Sequence, residues 1–128
     1  MELWMGLAGI VLVLSVLHGR NNRRKQRMKL QELKGKLDRG ETVVLVDVRT
    51  PQEHAGGHIP GSILLPVSEV ADRAGTVLKD KEAEILVYCA SGARSARAAR
   101  VLAGMGYTRV TNLGSIRNWP LLSSAAHH

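Results

Sequence analysis

Four short apolar runs punctuate the middle of this chain, and polar segments with helical spacing or turn residues separate them. Thr42 to Val48, largely β-branched and apolar but for Asp47, reads as a buried parallel strand, and Ser62 to Pro66, Glu84 to Tyr88 and Arg109 to Leu113 read as further strands. Leu30, Leu33 and Leu37 recur at helical spacing, with Gly40 as a stop and Gly35 a weak point costing about 1 kcal/mol. Thr50-Pro51-Gln52-Glu53-His54 opens a short helix, with Thr50 as N-cap and Pro51 at its first position. A further helix is predicted from Ser68, its cap, to about Leu78. Ser95 to Met105 puts Ala98, Ala99, Leu102 and Met105 on one inner face, and Gly104 and Gly106 end it. Ser115 to Leu122 reads as a last short helix. Strands alternating with helices predict a parallel sheet covered on both faces, with its site at the carboxyl ends of the strands.

The N-terminal pattern is of another kind. Leu3 to Gly19 holds 17 residues without a formal charge. At about 1.5 Å per residue a helix of that length falls just short of the ~30 Å hydrocarbon core. Trp4 stands where an interfacial aromatic anchor belongs. A run apolar all round has no place as a core helix in a domain this small. A cleavable signal would carry its positive charge before the run, yet Glu2 precedes it and Leu17-His18-Gly19 is a poor cleavage site. The expectation is a transmembrane anchor over residues 1–19 and a basic juxtamembrane linker over 20–29. A domain over 30–122 and a disordered tail over 123–128 complete the chain.

Charge supports that division. Residues 1–29 carry six Lys/Arg against one Glu, and residues 30–128 carry twelve against ten acidic residues, so most of the net +7 is one local cluster. By the positive-inside rule the domain faces the cytoplasm, from a single-pass position in the inner (plasma) membrane. Nucleic-acid binding needs a basic face with groove-reading or stacking groups, and no such face is visible. The one cysteine excludes an internal disulfide and a cysteine-based zinc site. The terminal pair His127-His128 lacks further ligands, so no metal site is expected there.

That cysteine, Cys89, ends the third strand-like run and stands just before a helix N-terminus. Amides of the turn and first helical turn converge there, and their dipoles favour an anion. Such a cradle lowers a thiol's pKa. Gly92 permits a tight backbone and Arg94 adds fixed charge. Cys89 therefore reads as a reactive residue rather than a packed one.

The loop Cys89-Ala90-Ser91-Gly92-Ala93-Arg94-Ser95 resembles the Cys-x-x-Gly-x-Arg-Ser pattern of the rhodanese-like sulfurtransferases. Val46-Asp47-Val48-Arg49, Glu53 and Gly57-His58-Ile59-Pro60-Gly61-Ser62 look like that family's amino-terminal signature. Ala98-Ala99, Leu102, Gly106-Tyr107, Val110, Leu113-Gly114 and Trp119 are similar to its carboxy-terminal spacing. Ser115 departs from it, since a second glycine usually follows Gly114. The resemblance covers about residues 28 to 121.

It implies a rhodanese-like α/β fold, with a central parallel sheet of about five strands and helices on both faces, preceded here by one transmembrane helix. It also implies a sulfurtransferase that moves a sulfane sulfur from thiosulfate or a persulfide to a thiol, or to cyanide. Cys89 would be the nucleophile and Ala90, Ser91, Gly92, Ala93, Arg94 and Ser95 the loop that holds the transferred sulfur, with no cofactor. Arg94 has two compatible roles, touching the anionic donor and holding the loop. Asp47, Arg49, Glu53 and His58 are expected as structural support, with an Arg49–Glu53 ion pair tying strand to loop. Two other readings remain: a non-catalytic sulfur carrier or membrane-tethered interaction module, and an arsenate reductase or phosphatase of the same fold. The four residues between Cys89 and Arg94 disfavour the oxyanion enzymes, whose loop is typically one residue longer.

Overall fold

The computed structural model describes residues 19–21, 24–25 and 28–121, in two compact units, Met1–Glu32 and Leu33–His128. In the first unit the described residues are helical. Leu3 to Gly19 lies outside the described residues but for its last position, and so does the tail over 123–128. No helix among the described residues is long and apolar enough to cross a membrane.

The second unit opens with helical residues 33–38 (α1), in which Leu33 is fully buried. The chain then leaves through Gly40 at φ 76°, the predicted stop. Next come β1 (Val44–Asp47), α2 (Pro51–Ala55), β2 (Ile63–Leu64), a 3-10 turn (Val67–Glu69) and α3 (Val70–Val77). After them follow β3 (Ile85–Cys89), α4 (Ala93–Gly104), β4 (Val110–Ser115) and a 3-10 turn (Ile116–Leu121). All strand pairs are parallel, in the order β2-β1-β3-β4.

Two expectations need correction. The sheet has four strands among the described residues, not about five, because the segment before β1 is spent on helix. Ser68 does not cap α3: the chain first makes the 3-10 turn, and the residue preceding α3 is Glu69, without a side-chain cap bond. Pro66 explains the delay, since it begins that turn with an extended ψ of 144°. Thr50, in contrast, caps α2 as predicted. Its hydroxyl accepts from the Glu53 amide and the Glu53 carboxylate accepts from the Thr50 amide.

β3 is buried at every position, as the central strand of a parallel sheet must be. Its alternate residues divide between two faces. Ile85, Val87 and Cys89 join Val46 and Val48 in one cluster with Val70, Ala74 and Leu78 from α3 and its end, and Ala98 and Leu102 from α4. Tyr107 closes it, its single hydroxyl proton shared between the carbonyls of Ala74 and Leu78, which lie 3.0 and 2.6 Å away. Leu45, Asp47, Leu86 and Tyr88, one residue out of step, are buried on the other face, where α2 and the loop after it lie. Lys36 of α1 pairs with Glu84 at the entry to β3 at 2.7 Å. The carboxyl ends of β1 and β3, with α2 and the start of α4, therefore meet at one edge.

Candidate active site

Cys89 is the last residue of β3 and is fully buried. The turn that follows closes through Gly92, which takes φ 107° and leads directly into α4. Gly92 donates its amide to Cys89 Sγ at 2.9 Å, and Ser95 Oγ lies 3.4 Å from the same sulfur. Burial raises the thiol's pKa. It is outweighed by the Ser95 hydroxyl and the amides of Ser95, Gly92 and Ser91, so the pKa is lowered from the ordinary 9.0. In the thiol form Ser95 donates to the Gly92 carbonyl at 3.1 Å. A thiolate needs that hydroxyl as a donor, so ionisation and rotation of the Ser95 hydroxyl go together. The arrangement is a cage of N–H and O–H donors around one sulfur, suited to holding it as an anion.

A second strand supports the cage from the side. β4 pairs with β3 with a one-residue slip: Val87 faces Asn112, Tyr88 faces Gly114 and Cys89 faces Ser115. Gly114 adopts φ 85° and gives its amide to Asn112 Oδ1 at 2.8 Å, while Asn118 Nδ2 holds the Leu113 carbonyl at 2.9 Å. Ser115 Oγ donates to the Ala90 carbonyl at 2.7 Å.

The expected Arg49–Glu53 pair is replaced by two others. Arg49 closes back on Asp47, with Nε to Oδ1 at 3.0 Å and Nη2 to Oδ2 at 2.9 Å, and its Nη2 also donates to the Gly57 carbonyl at 2.7 Å. Its guanidinium carbon lies 5.7 Å from the centroid of the Tyr88 ring. Glu53 instead pairs with Arg94, Nη1 to Oε1 at 2.6 Å and Nη2 to Oε2 at 2.9 Å. The reason is reach. Asp47 is fully buried beside Arg49 and would be an uncompensated charge without it, whereas Glu53 sits at the start of α2 facing the start of α4.

Asp47 is the hub of that buried network. It accepts from Arg49, from His54 Nδ1 at 2.9 Å and from the Tyr88 hydroxyl at 3.1 Å. Burial pushes its carboxyl up, but the bonds from Arg49 and His54 outweigh this and leave it below the ordinary range. Burial raises the Tyr88 phenol, which also accepts the Ile59 amide at 3.1 Å. His58 stacks on His54 with ring centroids 3.8 Å apart and reaches the His54 carbonyl through Nδ1 at 2.8 Å. It belongs to this support, tied to α2.

A model of the rhodanese-like domain family matches residues 29–121. The chain belongs to the rhodanese-like family. It is 38% identical over 73 residues to the thiosulfate sulfurtransferase PspE of Escherichia coli (strain K12), spanning 57% of this chain and 70% of that relative. To a sulfurtransferase of Allochromatium vinosum it is 42% identical over 90 residues, spanning 70% of this chain and 82% of the other. Among solved structures it resembles a rhodanese with anions from E. coli, with a TM-score of 0.58 at 36% identity, over 60% of this chain and 91% of that one. This rhodanese-like chain is an enzyme, a sulfurtransferase of the rhodanese type.

Within the rhodanese-like domain, the structure gathers Cys89, Ala90, Ser91, Gly92, Ala93, Arg94 and Ser95 into one turn and helix start, and brings Glu53 to it through Arg94. Asp47, Arg49 and His58 stand apart from the sulfur's own donors. Arg97 and Arg100 are exposed on α4. The sequence reading missed His54, the Tyr88 hydroxyl and Ser115. A signal existed for Tyr88, because a tyrosine inside a buried strand must find a partner for its hydroxyl. None existed for His54, whose partner depends on how α2 lies against the sheet.

Proposed function

We propose that this sulfurtransferase works through a persulfide at Cys89, with thiosulfate or a persulfide as donor. The Cys89 thiolate attacks the outer sulfur of thiosulfate, the S–S bond breaks, and sulfite leaves with the bonding pair. Cys89 then carries one extra sulfur as an anion, and the charge is conserved. A thiolate acceptor, or cyanide, attacks that terminal sulfur, takes it as persulfide or thiocyanate, and restores the Cys89 thiolate. The supporting observation is the setting of Sγ: the Gly92 amide donates to it at 2.9 Å, the Ser95 hydroxyl lies 3.4 Å away, and the thiol's pKa is lowered despite burial. The same donors would stabilise the departing anion as an oxyanion hole does. Arg94, engaged by Glu53 through both nitrogens, serves mainly to hold the loop.

Intact-mass measurement tests this reading. The full chain incubated with thiosulfate gains one sulfur, Cys89→Ser gains none, and cyanide removes the sulfur as thiocyanate. No gain on the wild type would reject thiosulfate as the donor.

The reading includes a single-pass anchor at Leu3 to Gly19 in the inner membrane, with the domain facing the cytoplasm. It rests on the uncharged run and the six basic residues that follow it. Release of the full chain from membranes by a salt wash would overturn the anchor.

A further inference from the structure

The Ala90–Ser91 peptide next to the reactive cysteine is held from outside the loop. Ser115 Oγ donates to the Ala90 carbonyl at 2.7 Å and accepts the Arg117 amide at 3.1 Å. A hydroxyl has one proton, so the accepted bond leaves that proton committed to Ala90. No cis peptide occurs among the described residues, and in a trans peptide the carbonyl and the next amide point in opposite directions. A carbonyl drawn toward β4 therefore turns the Ser91 amide the other way, away from Ser115.

The slip between β3 and β4 makes this reach available. With unbroken pairing after Val87–Asn112, Cys89 would face Gly114, which has no side chain to offer. The extra residue, taken up around Leu113 with Gly114 at φ 85°, brings Ser115 opposite Cys89 instead. The bonds from Gly114 to Asn112 and from Asn118 to Leu113 hold the slip in place.

We propose that Ser115 is a positioning residue: its hydroxyl fixes the Ala90–Ser91 peptide so that the Ser91 amide faces the sulfur carried by Cys89. Its bearing on sulfur transfer rests on Cys89 being the sulfur-carrying residue. The hydroxyl never touches the sulfur and acts through the peptide alone. The amide's contribution to the lowered thiol pKa agrees with this.

The test is the pH dependence of Cys89 alkylation by iodoacetamide, followed by intact mass on the full chain. It needs no sulfur donor, so its outcome is separable from that of the loading experiment. Ser115→Ala and Ser115→Gly are each expected to raise the alkylation midpoint by roughly 1 pH unit, the effect of losing one bond to an anion. Ser115→Thr, which keeps the hydroxyl, restores the wild-type midpoint. Circular dichroism confirms that each variant is folded. An unshifted midpoint in either folded hydroxyl-free variant overturns the proposal, and so does a Thr variant that behaves like Ala.

Discussion

Arg94 and Glu53 meet through two parallel bonds of 2.6 and 2.9 Å, joining the first turn of α4 to the first turn of α2. The pair bridges the two faces of the sheet at the edge where β1 and β3 end. It also completes a chain of local bonds, since Glu53 caps Thr50 with the same carboxylate. The cage around Cys89 is therefore braced by α2, although no α2 side chain is among the sulfur's donors.

That bracing has an acid limit. Hydrogen bonds from Arg94, then from the Thr50 amide, hold the Glu53 carboxyl at about 2, against an ordinary 4.5. A carboxylate depressed by folding contributes stability above its unfolded pKa and loses it as pH falls toward the folded value. The window thus runs from 4.5 down to about 2. Thermal melts should show the wild type more stable than Glu53→Gln above pH 5, with the gap closing inside the window. Asp47 is depressed in the same sense but is present in both proteins, so the difference isolates Glu53. Parallel melting curves across the window would rule out the pair as an acid-sensitive brace.

Tyr88→Phe separates support from chemistry. The substitution keeps the ring and removes the hydroxyl that serves Asp47, Ser62 and the buried Ile59 amide. An amide left buried without its partner costs about 1–3 kcal/mol. Urea denaturation should show that loss as a lower midpoint with an unchanged slope. Tyr88 lies on the face of the sheet opposite Cys89, so the alkylation midpoint of the thiol should not move. A shifted thiol midpoint with full stability would reverse this assignment of roles.

The local patterns in the chain carried most of the fold. The strand runs, the Thr50 cap with Pro51 behind it, and the Gly104–Gly106 end of α4 all depend on residues within a few positions of one another, and each marks its element, although only Ile63–Leu64 of Ser62 to Pro66 and Val44–Asp47 of Thr42 to Val48 are strand. Cys89 was legible as a strand end beside a helix start for the same reason. The ion pairs were not. Arg49 and Glu53 were expected to pair with each other, strand to loop, but Glu53 finds its partner 41 residues away and Arg49 finds its own two residues back. Ser115 stood out only as a departure from a spacing. Its use depends on a strand slip that no periodicity reveals, because the slip is set by Gly114, Asn112 and Asn118 in three dimensions.

Gly92 tests whether the loop's backbone is set by strain or by space. Its φ of 107° and ψ of −17° lie where residues with a Cβ rarely sit. A Cβ there would meet Gly114 Cα at 3.6 Å, an ordinary contact, so Gly92→Ala is opposed by the backbone rather than by a clash. The expected cost is roughly 1–3 kcal/mol in stability. Relief of that strain turns the Ser91–Gly92 peptide, and the amide now 2.9 Å from the sulfur moves away. The thiol midpoint should therefore rise and sulfur loading should fall along with stability. Gly106→Ala is the matched control. Its φ of 99° imposes similar strain just beyond the other end of α4, where a Cβ would contact only the Lys81 side chain at 3.7 Å. It should lower the melting temperature while leaving the thiol midpoint where it was. If both variants lose stability and neither changes the thiol, the Gly92 amide is not a determinant of the sulfur's charge.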